Sequence, residues 1–60
     1  MRKVRITYTH PMKSDVELET AGVLPEELNG DDKSSHFVKR HDGMIIDVPK
    51  DKVIEIFELS

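Results

Sequence analysis

The adjacent residues His41 and Asp42 bring together an imidazole and a carboxylate, a combination that hydrolases and metal sites often use. They lie in the stretch FVKRHDGMIIDVP (37–49) and are followed by Gly43. A catalytic histidine is usually oriented by a carboxylate from elsewhere in the fold, whereas neighbours on a strand point to opposite faces. Asp before Gly is also what a two-residue type I′ turn requires. The pattern therefore predicts a hairpin turn and not a catalytic pair.

The other residues capable of chemistry show no spacing typical of a site. His10, His36 and His41 form neither an HxH nor an HxxxH pattern, so no metal site is predicted. The pair Ser34-Ser35 lies in a polar loop instead of a strand–turn–helix nucleophile context, and no glycine-rich phosphate loop is present. We therefore predict no catalytic residue, no metal and no cofactor, and we expect that the protein is not an enzyme.

Length and composition predict one small domain spanning residues 1–60. The chain contains no cysteine, so neither disulfides nor a thiolate zinc site can supplement its core. The opening stretch MRKVRITYTH has no long apolar run, so it reads as neither a signal peptide nor a membrane span. The expected compartment is the cytoplasm, without a membrane partner.

Charge alternates in blocks along the chain, although the formal net charge is only −3. Residues 1–13 carry +4, residues 14–32 carry −7, residues 33–41 carry +3 and residues 42–60 carry −3. In an antiparallel sheet such blocks can face each other on neighbouring strands, where each opposite-charge pair contributes roughly 0.2–1 kcal/mol. The alternative is a functional surface with one basic and one acidic part.

Five segments have the composition or alternation of β-strands. They are RKVRITYT (2–9), DVELETA (15–21), HFVKRH (36–41), MIIDV (44–48) and VIEIFEL (53–59). The first two form a predicted hairpin around Pro11, and the next two form a second hairpin around the Asp-Gly turn. An amphipathic helix over 49–60 is the alternative for the last segment.

The stretch VLPEELNG (23–30) is the one signal for a helical turn. Pro25 suits the first helical position, and acidic residues follow it at the positive end of the helix dipole. Asn29-Gly30 predicts a left-handed stop. The segment is long enough for barely more than one turn.

These elements predict a mainly β fold: a five-stranded antiparallel sheet, or a partly open SH3-like barrel, with one short helical turn. The two strands MIIDV and VIEIFEL are apolar on both sides, so a barrel or a second copy must cover them. The candidate core residues are Val4, Ile6, Tyr8, Val16, Leu18, Val23, Leu24, Leu28, Phe37, Val38, Met44, Ile45, Ile46, Val48, Val53, Ile54, Ile56, Phe57 and Leu59.

The last third of the chain resembles two families over about a quarter of its length. GMIIDVPKDKVIEI (43–56) resembles the end of SH3-like barrels, with a strand ending in Val48-Pro49, a short turn and a final strand from Val53. The resemblance implies architecture only, because the chain has no tryptophan and one tyrosine for a proline-peptide surface. DGMIIDVPKDKV (42–53) is also similar to the strand–proline–helix stretch of AbrB-like swapped-hairpin antitoxins and transition regulators. That stretch opens their domain and closes this one, so DNA binding is not carried over.

The function expected from these features is a non-catalytic protein-interaction or assembly module, of the kind found among small bacterial or phage accessory proteins. The alternative is nucleic-acid binding through strands one and three, with contacts from Lys3, Arg5, Lys39 and Arg40. Self-association into a homodimer is a further prediction, and its candidate residues are Val53, Phe57 and Leu59. The acids Glu55 and Glu58 on the same strand oppose edge pairing.

Overall fold

The protein forms one open antiparallel sheet in a computed structural model that describes residues 2–59. Its strands are β1 (Arg2–Thr9), β2 (Glu17–Leu24), β3 (Ser35–Lys39), β4 (Ile45–Pro49) and β5 (Val53–Glu58). Single 3-10 turns at Glu26–Leu28 and Lys50–Lys52 follow β2 and β4. The strand order is β4-β3-β2-β1-β5. The predicted mainly β, five-stranded sheet is confirmed, and the helical alternative for 49–60 is wrong.

The sheet must curl because its two edge strands are joined by a very short connection. β4 and β5 lie at opposite edges, but only the turn Lys50–Lys52 separates them. Four residue steps reach at most about 14 Å, whereas four strand spacings of a flat sheet measure about 19 Å. The strand, short turn and final strand implied by the resemblance to SH3-like barrels are all present.

The core lies on the inner side of this curled sheet. The buried apolar residues are Val4, Ile6, Tyr8, Leu24, Val38 and Val48, and Leu18, Ile46, Val53 and Ile56 pack against them. β1 contributes three of the six because it lies between β2 and β5 and every second residue from Val4 to Tyr8 is buried. Several predicted core residues are instead exposed: Leu28, Met44, Ile45, Ile54, Phe57 and Leu59. The single chain leaves these side chains uncovered, and their cover by a second copy stays a prediction.

The backbones of β2 and β3 approach each other very closely at Gly22. The two strands share one registered pair, Val23 with Lys39. A Cβ on Gly22 would lie 2.9 Å from the carbonyl carbon of Lys39 and 3.0 Å from Cγ1 of Val38. Only glycine lets the backbone of β3 pass this close to β2. The predicted second strand ended at residue 21, so the prediction missed this close contact between β2 and β3.

The β3–β4 hairpin has a different turn from the predicted one. The N–H of Gly43 donates to the carbonyl of Arg40 at 2.9 Å, and the N–H of Arg40 donates to the carbonyl of Met44 at 2.9 Å. Gly43 has φ +88°, whereas no other residue between 2 and 59 has positive φ. A type I′ turn would require positive φ at Asp42 as well, so the hairpin has instead a three-residue loop, residues 41–43, that ends in the left-handed Gly43. The Asp42 carboxylate accepts the N–H of Met44 at 3.0 Å, which stabilises this form.

The predicted helical turn exists, but its ends differ from the prediction. Pro25 precedes the 3-10 turn with extended backbone angles instead of occupying its first position, and Asn29 is extended (φ −118°) instead of left-handed. The side chain of Asn29 explains its conformation. Its amide nitrogen donates to the carbonyls of Pro25 and Phe37, and its oxygen accepts the N–H of Phe37, all at 2.9 Å. Asn29 therefore pairs with β3 much as a neighbouring strand would.

Candidate interaction surface

The outer side of β5, β1 and β2 is a solvent-facing surface whose residues are aligned by strand register. Residues that are directly opposite in an antiparallel pair lie on the same face. Since Val4, Ile6 and Tyr8 are buried, the alternate residues of β1 face outward. Each outward residue of β1 belongs to a row of residues that runs across the sheet in the direction from β5 to β2. The rows are Leu59–Lys3–Val23, Phe57–Arg5–Ala21, Glu55–Thr7–Glu19 and Thr9–Glu17.

The predicted basic residues are brought together only in part. β2 separates β1 from β3, so the first and third strands are not adjacent. Lys3 and Lys39 both pair with Val23 and flank it in one row. Arg5 lies in the next row, but Arg40 lies beyond the end of β3 and contacts the carboxylate of Asp42 at 3.6 Å. Three of the four candidate contacts therefore share the outer side.

Ion pairs join the charge blocks as the alternation predicted. Arg2 donates its Nε–H to Glu58 at 2.8 Å, linking β1 to the acidic end of β5. Arg5 lies 3.9 Å from Glu19, linking β1 to acidic β2. These side chains are largely exposed, so each pair contributes at most about 1 kcal/mol.

Two apolar side chains dominate the β5 end of the outer surface. Phe57 is 51% exposed and Leu59 is 45% exposed. The guanidinium of Arg5 lies over the Phe57 ring, 5.2 Å from its centroid. Val53, the third candidate for self-association, packs against the core instead. A β-bulge opposite Thr7 and Tyr8 shifts the alternation of β5 and pairs Val53 with buried Tyr8.

The three histidines have separate local environments. His10 accepts the N–H groups of Met12 and Lys13 at its Nδ1 atom, at 3.0 and 3.2 Å, and so stabilises the β1–β2 turn. His41 is exposed in the β3–β4 turn, while His36 lies half-buried on β3. Among residues 2–59 no group of three or more His, Cys, Asp or Glu residues is placed to hold a metal ion.

Asp42 has a structural part in the turn. The hydrogen bond from the Met44 N–H, with further help from Arg40, holds the pKa of its carboxyl below the usual value. That bond uses the charged form of the side chain, as a turn-stabilising aspartate does. The hydrogen bond of Asp42 is therefore to the backbone of its own turn.

Replacing His41 with alanine should change the free energy of unfolding by less than about 1 kcal/mol, because its side chain is exposed in the turn. Gly43→Ala is the matched comparison. Its left-handed backbone should cost about 1–2 kcal/mol when a Cβ is added. Urea unfolding of the two variants measures both effects, and a larger loss from His41→Ala than from Gly43→Ala would contradict the turn assignment.

A cleft of about 240 Å³ lies where the start of β1, the first 3-10 turn and the second 3-10 turn meet. His36, Arg2 and Lys50 are among the residues that line it. Both cations already bind groups of the protein, since Arg2 pairs with Glu58 and Lys50 donates to the carbonyl of Gly30 at 3.1 Å. Burial, followed by the charges of Lys50 and Arg2, lowers the pKa of His36 below its usual value of 6.5.

The lowered pKa of His36 predicts acid sensitivity. The folded state favours the neutral ring, so the unfolded state binds the proton more readily. The resulting contribution to stability is therefore present above about pH 6.5 and is lost as the pH falls through the lowered pKa. Urea unfolding between about pH 7.5 and 5.5 should show a decline in the free energy of unfolding that His36→Gln reduces. Equal pH dependence in His36→Gln and the unmodified protein would contradict this assignment.

The fold and the surface together describe a small curled β-sheet protein with a mixed apolar and charged outer side. No protein-family model, curated protein or solved structure matches the chain. Within residues 2–59, no helix has both the length and the apolar character needed to cross a membrane.

Proposed function

We propose that the chain is a non-catalytic protein-interaction or assembly module that binds its partner through the outer side of β5. The observation that carries the proposal is the exposure of two large apolar side chains, Phe57 on the edge strand β5 and Leu59 directly after it. Aromatic residues and arginine are enriched where protein interfaces gain most of their binding energy. The Arg5 guanidinium lies over the Phe57 ring, so an aromatic residue and an arginine are next to each other on this surface. The cytoplasm is the compartment we propose, on the basis of the sequence.

The contact surface can be tested by placing a photoreactive benzoylphenylalanine at position 57, where it replaces another aromatic residue. The control carries the same group at Met12, which is 89% exposed in the β1–β2 connection, outside the proposed surface on β5. Irradiation of source cells that express either full chain should give a discrete crosslinked product from position 57 only. No product from position 57, or the same product from both positions, would contradict the proposal.

Nucleic-acid binding is the second candidate, and it is favoured by the placement of Lys3, Arg5 and Lys39 on one side of the sheet. The acids Glu19 and Glu55 lie in the row next to Arg5, and they would repel a phosphate backbone. A gel shift against mixed DNA and RNA at two salt concentrations tests this candidate. A shift that weakens with salt and is lost on Lys3→Gln with Lys39→Gln would replace the protein-interaction proposal.

A further inference from the structure

The outer side of β5, β1 and β2 is divided into a basic half and an acidic half. Lys3 and Arg5 lie in the two rows nearest the start of β1. The acids Glu17, Glu19 and Glu55 lie in the two rows nearest its end. The strand register alone creates this division, because β1 supplies the cations while β2 and β5 supply the acids.

A surface with two opposite halves can be complementary to a copy of itself. In a face-to-face pair of sheets, a twofold axis along the strands would place each basic half on another basic half. An axis across the strands reverses the order of the rows and places each basic half on an acidic half. Only the second arrangement pairs opposite charges, and a closed twofold dimer is the commonest form of self-association.

We propose that this surface binds a second copy of the chain about a twofold axis that crosses the strands between Arg5 and Thr7. This axis keeps each strand opposite the same strand of the other copy, so Arg5 lies opposite Thr7 and Lys3 opposite Thr9. The acids Glu17, Glu19 and Glu55 lie one strand to the side, within reach of these long side chains. Phe57 lies in the row next to the axis, so the docked copy covers its exposed ring. This inference rests on the proposed interaction function and names its partner.

The contacts that Arg5 makes within its own chain leave its guanidinium able to bind carboxylates of a second copy. Its 3.9 Å separation from Glu19 is long for an ion pair, and both side chains are more than two-fifths exposed. Such a pair is weak and easily shared with carboxylates of a second molecule. The long, flexible side chain of Lys3 can likewise reach across an interface.

The size of the surface predicts weak association. Three strands about 4.8 Å apart and four rows give a patch well below the roughly 800 Å² per partner of a standard interface. The dissociation constant should therefore be on the order of tens of micromolar or weaker, and added salt should raise it because the complementary charges are exposed.

Sedimentation of the full chain with charge-reversed variants tests the arrangement. The unmodified protein should exceed the monomer mass of 6.9 kDa as its concentration rises, and should return towards that mass in high salt. One variant carries Lys3→Glu with Arg5→Glu, and the other carries Glu19→Lys with Glu55→Lys. Each should remain monomeric alone, and an equimolar mixture should form a dimer more tightly than the unmodified protein. The matched control, Lys33→Glu with Asp51→Lys, changes exposed charges away from the surface and should associate normally.

An unmodified protein that stays at the monomer mass at every concentration overturns the inference, and so does a mixture that fails to associate. The first measurement needs no substitution, so it decides the matter even where a variant folds poorly. The crosslinking experiment separates this failure from that of the broader proposal. A product between position 57 and a different protein supports the interaction module while it excludes a second copy as its partner.

Discussion

Replacing Gly22 with valine should leave most of the chain unfolded at room temperature, and Gly22→Ala should cost about 3 kcal/mol or more. The added Cβ would meet the backbone of Lys39, which cannot move aside as the end of a flexible side chain can. Overpacking a core typically costs about 1–3 kcal/mol, and a backbone obstacle lies at or beyond the upper end of that range. A domain of this length has only about 3–9 kcal/mol of stability to lose.

Two substitutions serve as controls for Gly22. Ala21→Val lies next to it on β2 but faces the solvent, where a β-branched residue suits a strand. Gly30→Ala would meet only the carboxylate end of Asp32, which can rotate away. Urea unfolding followed by circular dichroism should show near-normal stability for both. A Gly22→Ala protein as stable as Ala21→Val would mean that β3 does not cross β2 at this point.

Replacing Asn29 with alanine should lower the free energy of unfolding by about 2 kcal/mol. The substitution removes three hydrogen bonds at once and leaves the N–H and carbonyl of Phe37 without their partner. β2 does not pair with β3 at that residue, so no strand takes over the role of the side chain. Glu27→Ala, an exposed change in the same 3-10 turn, should have little effect.

Asn29→Asp separates the donor and acceptor roles of this side chain. A carboxylate can still accept the N–H of Phe37, but it cannot donate to the carbonyls of Pro25 and Phe37. Hydrogen exchange at the Phe37 amide should therefore stay slow in Asn29→Asp and become fast in Asn29→Ala. Fast exchange in the unmodified protein would show that the side chain does not hold β3.

Local patterns predicted the elements well because their causes are local. The alternation in RKVRITYT requires a strand with one buried side, and the structure has β1 over the same residues, Arg2–Thr9. The Asp-Gly pair marked the second hairpin correctly. The form of its turn was wrong, because the Asp42 side chain binds the Met44 N–H and favours a backbone that the dipeptide alone does not specify.

The sequence patterns did not predict features that depend on contacts between distant parts of the chain. Gly22 looks like a weak point in a strand until β3 is placed beside it. Asn29-Gly30 predicted a helix stop because the sequence does not show that the Asn29 side chain hydrogen-bonds the backbone of Phe37, eight residues later. Val53 was assigned to the face of Phe57 because alternation ignores the bulge opposite Tyr8. Gly22 follows the last residue of the predicted second strand, so no sequence pattern indicated its close contact with Lys39.

The sequence suggested individual candidate residues for an interaction surface, but it did not predict how they are arranged on the sheet. The basic stripe required β1 and β3 to be neighbours, and the strand order places β2 between them. The block charges suggested a surface of two signs, yet only the register shows that Arg5 and Glu55 lie in adjacent rows on one face. Pairing between β1 and β5 cannot be read from either segment alone.

The position of β1 between β2 and β5 has a consequence for how the chain reaches its native state. The β1–β2 and β3–β4 hairpins join residues close in sequence, whereas the β1–β5 ladder joins opposite ends of the chain. Closing so long a loop is entropically costly, and folds dominated by such pairings typically take milliseconds to seconds. We expect β5 to dock last, so Ile56→Val should mainly speed unfolding, whereas Ile6→Val should also slow folding in stopped-flow experiments. Until β5 docks, one edge of β1 lacks its hydrogen-bonding partner and is open to strands of other molecules. The slowest step of folding is therefore also the one most exposed to aggregation.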